Sequence, residues 1–361
     1  MPSRPIIVAE DDPFTRLIQI VLDPATSDER RSAFADFMSV DEPDFEGWCR
    51  RVRAGSPGLH PAEVRLVPSE AEMRAQLGGA CALVVEAFRV GRDDLAAAPQ
   101  LRVVQKYGRI LRNIDTAACA EKGIKVVPLR RRANISCAEQ AFALILALAR
   151  KLDRVIGRVT AERIAADGAP LRPFDRRHTP GANYGRVGGL RPLHGATIGI
   201  IGLGEIGREI AQRAAGFGMQ LLYHQRSRIP ESEEQEIKAH YVPLNKLLAD
   251  SDWIVPQLPT SPGTRDLIGR AELALVKPGA CIVNVSNAPV INRDALIEAL
   301  RSGRLGGVAL DVLYQEPLSG NDELLAFDNV ILTPRMAGSP RFNGLNDLEQ
   351  MITGLAREVA G

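Results

Sequence analysis

Short aliphatic runs at residues 5–9, 82–85, 101–105 and 124–127 read as strands, and the segment RDDLAAAP between the second and third reads as a helix. That alternation predicts a parallel α/β sheet. The stretch 11–68 between the first two runs is polar and charge-rich. Helices are predicted there at 15–22 and 46–54, but no chemistry is evident, so it is expected to be scaffold or an interface. Residues 139–160 predict one long helix, apolar throughout at first and amphipathic later. The stretch 166–195 is rich in Gly, Pro and Arg and reads as a linker or long loop. From Thr197 a second rhythm begins, with strand-like runs at 220–223, 253–258, 281–285, 308–311 and 330–332 and helical segments between most of them. This is the pattern of a second doubly wound domain.

A chain of 361 residues is long enough for two domains with cores of their own. Its formal net charge of +1 gives no global attraction to nucleic acid or to a membrane surface. The opening MPSRPIIVAEDD has too short an apolar run for a signal peptide, and no apolar stretch reaches the length of a membrane span. The run at 138–149 contains Glu139 and Gln140 and is better read as a buried helix. Cys49, Cys81, Cys119, Cys137 and Cys281 are widely spaced and form no C-x-x-C pair. They predict reduced thiols in a cytoplasmic protein, with no disulfide framework and no metal site.

The sharpest motif is Gly202-Leu203-Gly204-Glu205-Ile206-Gly207, a G-x-G-x-x-G placed after an apolar strand and opening a helix at 205–217. Such glycines allow a tight turn and close approach to a pyrophosphate, which then rests on amide donors at the helix N-terminus. A nicotinamide dinucleotide is therefore the expected cofactor. The end of the next strand separates NAD from NADP, because a carboxylate there binds the ribose 2′-hydroxyl and a basic group accepts a 2′-phosphate. Here Gln225 holds the carboxylate position and Arg226, Ser227 and Arg228 follow, which favours NADP over NAD. Against that stands the alternative that these arginines are solvated loop charges.

From residue 101 onward the chain resembles the D-2-hydroxyacid dehydrogenases, the group that contains phosphoglycerate, formate and phosphite dehydrogenases. The matching pieces stand in family order. They are Gly108 with Asn113-Ile114-Asp115, Asn134 to Glu139 (NISCAE), the glycine motif, LPTSPGTR at 258–265, KPGA at 277–280, ALDV at 309–312 with Glu316-Pro317, ILTP at 331–334, and Ala337-Gly338. The resemblance implies two doubly wound parallel-sheet α/β domains, a Rossmann cofactor domain inserted in a flavodoxin-like substrate domain. The substrate domain would comprise residues 1–137 plus 336–361, and the cofactor domain residues 138–335. It also implies a homodimer built through the cofactor domains. Substrate-binding residues would be Lys106, Tyr107, Gly108, Arg109 and Asn134, with 107–110 as the backbone loop for a carboxylate. Beyond the residues already named, Leu258, Pro259, Thr264, Val285, Ser286 and Asp311 would line the cofactor.

The family works with an arginine, a glutamate and a histidine, and this chain keeps only the glutamate, as Glu316. The arginine position is Asn287 and the histidine position is Arg335. A guanidinium cannot serve as the general base for alcohol oxidation, and losing such a base costs on the order of 10²–10⁴ in rate. Arg335 can still donate hydrogen bonds, whereas Asn287 cannot neutralise an anion. A further departure is a concentration of basic residues, Lys106, Arg109, Arg112 and Arg130, Arg131 and Arg132, in segments that border the family's cleft. These would suit a substrate with more than one negative charge, unless they face solvent or pair with acids elsewhere. The loop at 173–186 adds Arg176, Arg177, His178 and Tyr184, with His178 expected to be an exposed loop residue. The leading expectation is an NAD(P)-dependent oxidoreductase acting on a small anionic hydroxy or oxo compound through a reorganised site. The alternatives are a dinucleotide-binding pseudoenzyme, sensor or partner protein, and redox-neutral chemistry with tightly bound cofactor.

Overall fold

A computed structural model of the chain describes residues 4–166 and 172–360, so residues 167–171 of the loop expected at 166–195 lie outside the described residues. The chain divides into two compact units, one formed by Met1–Ser136 with Gly338–Gly361 and the other by Cys137–Ala337.

The first unit is a parallel sheet of β1 (Ile6–Glu10), β2 (Glu63–Val67), β3 (Ala82–Val85), β4 (Val103–Lys106) and β5 (Lys125–Val127), in the order β2-β1-β3-β4-β5. The order reverses between β1 and β3, which is the flavodoxin-like arrangement. Strands β1 and β3 are buried along almost their whole length, which is why they read as continuous apolar runs.

The segment 11–68 is scaffold built into the first unit. It contributes β2 and the helices Arg16–Leu22, Asp28–Met38 and Phe45–Ala54, and Leu17, Ile18, Trp48, Cys49 and Val64 join the core of this unit. Strand β2 escaped the sequence reading because it is an edge strand of sequence EVRLV. Its Glu63 and Arg65 pair with each other, Nε to Oε1 at 2.7 Å, and leave only Val64 as an apolar position between them.

The C-terminal helix Phe342–Ala360 completes the unit, burying Leu345, Leu348, Met351, Ile352 and Leu355 against Ile7, Tyr107 and Leu129. Its anchor is the fully buried Asp347, which accepts from the backbone N–H of Arg132 at 2.7 Å and from Arg132 Nη1 at 2.8 Å. Burial pushes the Asp347 carboxyl above its ordinary range, so these donors are what keep a charge tolerable there. Asn343 Nδ2 adds a bond to Ser136 Oγ at 2.7 Å.

The second unit is a seven-stranded sheet. Its strands are β6 (Thr197–Ile201), β7 (Gln220–His224), β8 (Ala239–Tyr241), β9 (Trp253–Pro256), β10 (Cys281–Asn284), β11 (Gly307–Leu310) and β12 (Val330–Leu332). All pairs are parallel and the order is β12-β11-β10-β9-β6-β7-β8, the Rossmann pattern with an added edge strand. Strand β8 was not expected, since its sequence AHY has a polar, exposed residue at its centre and buries only Ala239.

The long helix expected at 139–160 is corrected at both ends. It runs Arg132–Arg150, starting inside the arginine run where Asp347 takes the Arg132 N–H. It stops because Lys151 adopts φ 53°, and a separate turn, Leu152–Val155, follows. A lysine in the left-handed region carries no sequence signal comparable to glycine or proline.

Because one carboxylate satisfies two donors at the seam between residues 132 and 347, Asp347→Ala is expected to lower unfolding stability by about 2–3 kcal/mol. Arg132→Ala, which keeps the backbone bond, should cost about 1 kcal/mol, since its side chain is partly exposed. Urea unfolding of both variants measures this, and a loss below about 0.5 kcal/mol for Asp347→Ala would show that the helix is held by apolar packing alone.

Candidate cofactor and active site

The turn after β6 is shaped by two glycines that the protein's own backbone requires. Gly202 sits at φ 99°, and a Cβ there would lie 2.4 Å from the Gln257 carbonyl oxygen. At Gly207 a Cβ would lie 2.4 Å from the Gly202 carbonyl oxygen, so helix and turn could not close on each other. Gly204 is different, because a Cβ there would meet nothing within 4 Å. The first and third glycines let the loop form and the second leaves its mouth open. Gly204 is also the N-cap of helix Glu205–Gly216 and supplies no side-chain cap, so the first-turn amides remain directed at that opening. The turn stands where the strand order reverses, between β6 and β9. These features fit the pyrophosphate of a dinucleotide.

At the end of β7, Gln225 Oε1 accepts from Leu203 N at 3.1 Å, and its Nε2 donates to Ser227 O at 2.6 Å. Gln225 thereby steadies the glycine turn from behind. Arg226 and Ser227 are exposed. Arg228 is committed elsewhere, to a two-bond pair with Glu234 at 2.8 and 2.6 Å, which the Tyr223 hydroxyl joins. The Arg228 guanidinium, helped by Tyr223, holds the Glu234 carboxyl down at about 2. Of the two arginines after Gln225, only Arg226 faces outward without this commitment.

The loops after β9 and β10 are tied to one another. Asn287 Nδ2 donates to Leu258 O at 2.7 Å, and its backbone N–H reaches Asn284 Oδ1 at 3.2 Å. Asn284 Oδ1 also accepts from Ser286 N, and Ser286 Oγ lies 2.9 Å from Pro256 O. Val285 is buried in the core. Thr264 Oγ1 donates to Pro259 O at 2.6 Å and accepts from Ser261 N, closing that loop on itself. Asn287 therefore serves as a link between the two loops.

Glu316 and Arg335 are brought together, Nη1 to Oε2 at 2.7 Å, and Glu316 Oε1 accepts from Leu313 N at 3.1 Å. The bond from Arg335 pulls the Glu316 carboxyl below its usual range. Arg335 sits at φ 54°, a costly backbone for an arginine. The fully buried Asp311 holds it there. Its Oδ2 accepts from Ala337 N at 2.7 Å, and its Oδ1 accepts from Met336 N at 3.0 Å and from the Thr333 hydroxyl. Expected to line the cofactor, Asp311 has both oxygens engaged in clamping the turn that carries Arg335.

In the first unit, Lys106 is buried and its ammonium donates to the Glu86 carbonyl and to Asn113 Oδ1. Tyr107 is buried with its hydroxyl unpartnered, and the Arg131 guanidinium lies 4.0 Å over its ring while pairing with Glu86. Gly108 O accepts from Leu129 N at 2.8 Å, Asn134 is buried, and Arg109 is exposed. Of the basic residues read as a cluster, Lys106, Arg131 and Arg132 thus have partners inside the unit. The loop residue Arg177 pairs with Asp175, and His178 is exposed as expected. The sequence reading passed over two polar residues, one in each unit. Glu10 accepts the backbone N–H groups of Glu86, Ala87 and Phe88 on one oxygen at 2.7, 2.8 and 3.0 Å. Gln257, directly after β9, has a buried side-chain nitrogen without a partner. The reading began one residue later, at Leu258, where the family motif starts.

Among the described residues there is no group of His, Cys, Asp and Glu able to hold a metal ion, and no helix long and apolar enough to cross a membrane. Residues 142–337 match the family model of the D-isomer specific 2-hydroxyacid dehydrogenase NAD binding domain. The chain is 37% identical over 264 residues to a glyoxylate reductase of Thermococcus gammatolerans, covering 73% of this chain and 75% of that one. It is 38% identical over 253 residues to a glyoxylate reductase of Aeropyrum pernix, covering 70% and 72%. Among solved structures, the holo form of Rhodotorula graminis D-mandelate dehydrogenase aligns with a TM-score of 0.56 and 25% identity, covering 98% of this chain and 93% of that one. With its glycine cradle at the β6 turn and a family model spanning more than half its length, the chain belongs to the D-isomer specific 2-hydroxyacid dehydrogenases, a family of NAD-binding oxidoreductases.

Proposed function

We propose that this protein is an NADP-preferring reductase of a small 2-oxo acid, in which an arginine–glutamate pair stands where the family uses histidine and glutamate. The observation that carries it is the Arg335–Glu316 bond at 2.7 Å on a turn clamped by buried Asp311. A clamped, strained backbone at this position is what a site-forming side chain needs and what a solvated loop arginine does not. Residues 202–207, Gln225 and Arg226 would hold the cofactor, which supplies a hydride when bound in reduced form. Arg335 donates to the substrate carbonyl oxygen and stabilises the charge that grows there, while Glu316 fixes the direction of the guanidinium. The alkoxide takes its proton from water, since a guanidinium neither gives nor accepts one at accessible pH. The loop 107–110 of the first unit would receive the carboxylate through its backbone. With Lys106, Arg131 and Arg132 already partnered, a monocarboxylate suits that unit better than a polyanion. Glyoxylate, the oxo acid in the relatives' names, is the first substrate to test.

A dinucleotide-binding protein without turnover is the second reading, favoured by Asn287, whose side-chain amide is given to Leu258. We also propose a homodimer formed through the second unit. Leu152, Ile156, Val159 and Tyr184 are all exposed there, and the Tyr184 hydroxyl bonds to Val159 O at 3.2 Å. A cytoplasmic location is consistent with five cysteines that are widely spaced and form no C-x-x-C pair.

In the reduction of glyoxylate, Arg335→Met is expected to lower turnover by about 10²-fold or more while changing cofactor affinity by less than about twofold. The wild-type pH profile should lack a step near the ordinary histidine range. Intact turnover with a lower melting temperature would make Arg335 a structural ion-pair partner and favour the second reading.

NADPH is expected to bind about tenfold or more tightly than NADH, and Arg226→Asp should erase that preference. Fluorescence titration of each nucleotide measures this, and equal or tighter NADH binding by the wild-type protein would overturn it.

A further inference from the structure

We propose that Gln257 is a cofactor-positioning residue, whose side-chain amide donates a hydrogen bond to the pyrophosphate of the bound dinucleotide. The inference rests on the dinucleotide occupying the glycine cradle of the second unit. Gln257 is the first residue beyond β9, and its backbone N–H donates to Ile201 O at 2.7 Å, at the last residue of β6. Its carbonyl oxygen is the atom that forbids a side chain at Gly202, at 2.4 Å from an ideal Cβ. Gln257 is therefore pressed against the turn that cradles the pyrophosphate, on the side where the strand order reverses. Yet its Nε2 is buried and has no hydrogen-bond partner among the described residues.

A buried amide nitrogen without an acceptor costs on the order of 1–3 kcal/mol. Several other polar side chains around this site are satisfied, although Arg208, which directly follows Gly207, also has a buried Nε without a partner while its Nη2 bonds to Glu233 at 2.6 Å. Gln225 bonds at both ends of its amide, Asn284 and Ser286 bond to neighbouring backbone, and Asn287 donates to Leu258 O. The unsatisfied donor at Gln257 thus stands directly beside the glycine cradle. The terminal torsion of glutamine is soft, so the amide can turn to an acceptor at little cost. A phosphate oxygen is a charged acceptor and forms the stronger class of hydrogen bond.

The test uses Gln257→Met, which keeps an unbranched side chain of similar length but removes the donor, and Gln257→Glu, which replaces the donor with a charged acceptor. Binding of NADPH and of ADP-ribose, which carries the pyrophosphate but no nicotinamide, is followed by fluorescence, with Trp253 four residues upstream on β9 as the reporter. Gln257→Met is expected to weaken both ligands by about tenfold, one hydrogen bond to a charged group. The glutamate variant should weaken both further. The melting temperature of ligand-free Gln257→Met should be unchanged or raised, because an unsatisfied buried donor is gone. Affinities within about twofold of wild type, with or without a fall in melting temperature, would overturn the proposal and leave Gln257 a structural residue. Loss of NADPH affinity with ADP-ribose binding intact would also overturn it, by moving the contact to the nicotinamide end. If the wild-type protein binds neither ligand, the proposal falls together with the dinucleotide reading beneath it, an outcome distinct from the others.

Discussion

The carboxylate of Asp311, sealed from water at the end of β11, is the point on which the candidate chemistry hangs. Its two oxygens collect two successive backbone N–H groups and a threonine hydroxyl from one turn. Charge-assisted bonds of this kind are roughly twice as strong as neutral ones, and a buried carboxylate denied them would be untenable. The turn is consequently not free to relax, and Arg335 is held in a left-handed backbone that an arginine would otherwise leave. Glu316 then needs to supply only a single oxygen to aim the guanidinium. The positive φ at 335, the lowered carboxyl at 316 and the buried charge at 311 are three aspects of one arrangement.

The parts of this fold that could be read from the sequence are those where one residue type has one physical job. Central strands such as β3 and β11 show as unbroken apolar runs, and the glycine motif shows because two of its three glycines admit no side chain. The pairing of Glu316 with Arg335 was visible through the family pattern. What stayed hidden is the set of polar residues whose partners are backbone groups far along the chain. Lys106 looked like a substrate cation and spends its charge on the Glu86 carbonyl and Asn113. Arg228 looked like a phosphate ligand and belongs to Glu234. A charge in a sequence has no address until its counter-charge is located, and that requires the fold.

The first unit illustrates the same point through Glu10. Three consecutive backbone amides at 86–88 form a concavity of the kind that binds anions, but the chain fills it with its own carboxylate. With Arg131 paired to Glu86 and stacked on Tyr107, the strand ends of this unit are largely neutralised from within. A count of basic residues in the sequence overstated the positive field available to a ligand, because acids from other strands had already answered part of it.

The bond between Arg132 and Asp347 joins residues 215 positions apart. All seven strands of the second unit lie between them, whereas six buried apolar residues of the first unit's core come from the last helix. A chain emerging from the ribosome can therefore close the inserted unit while the unit begun first still lacks an entire wall. The order of completion reverses the order of synthesis. Until that helix arrives, the core that contains Ile7, Tyr107 and Leu129 lacks those residues, and incompletely buried apolar surface of this kind favours aggregation.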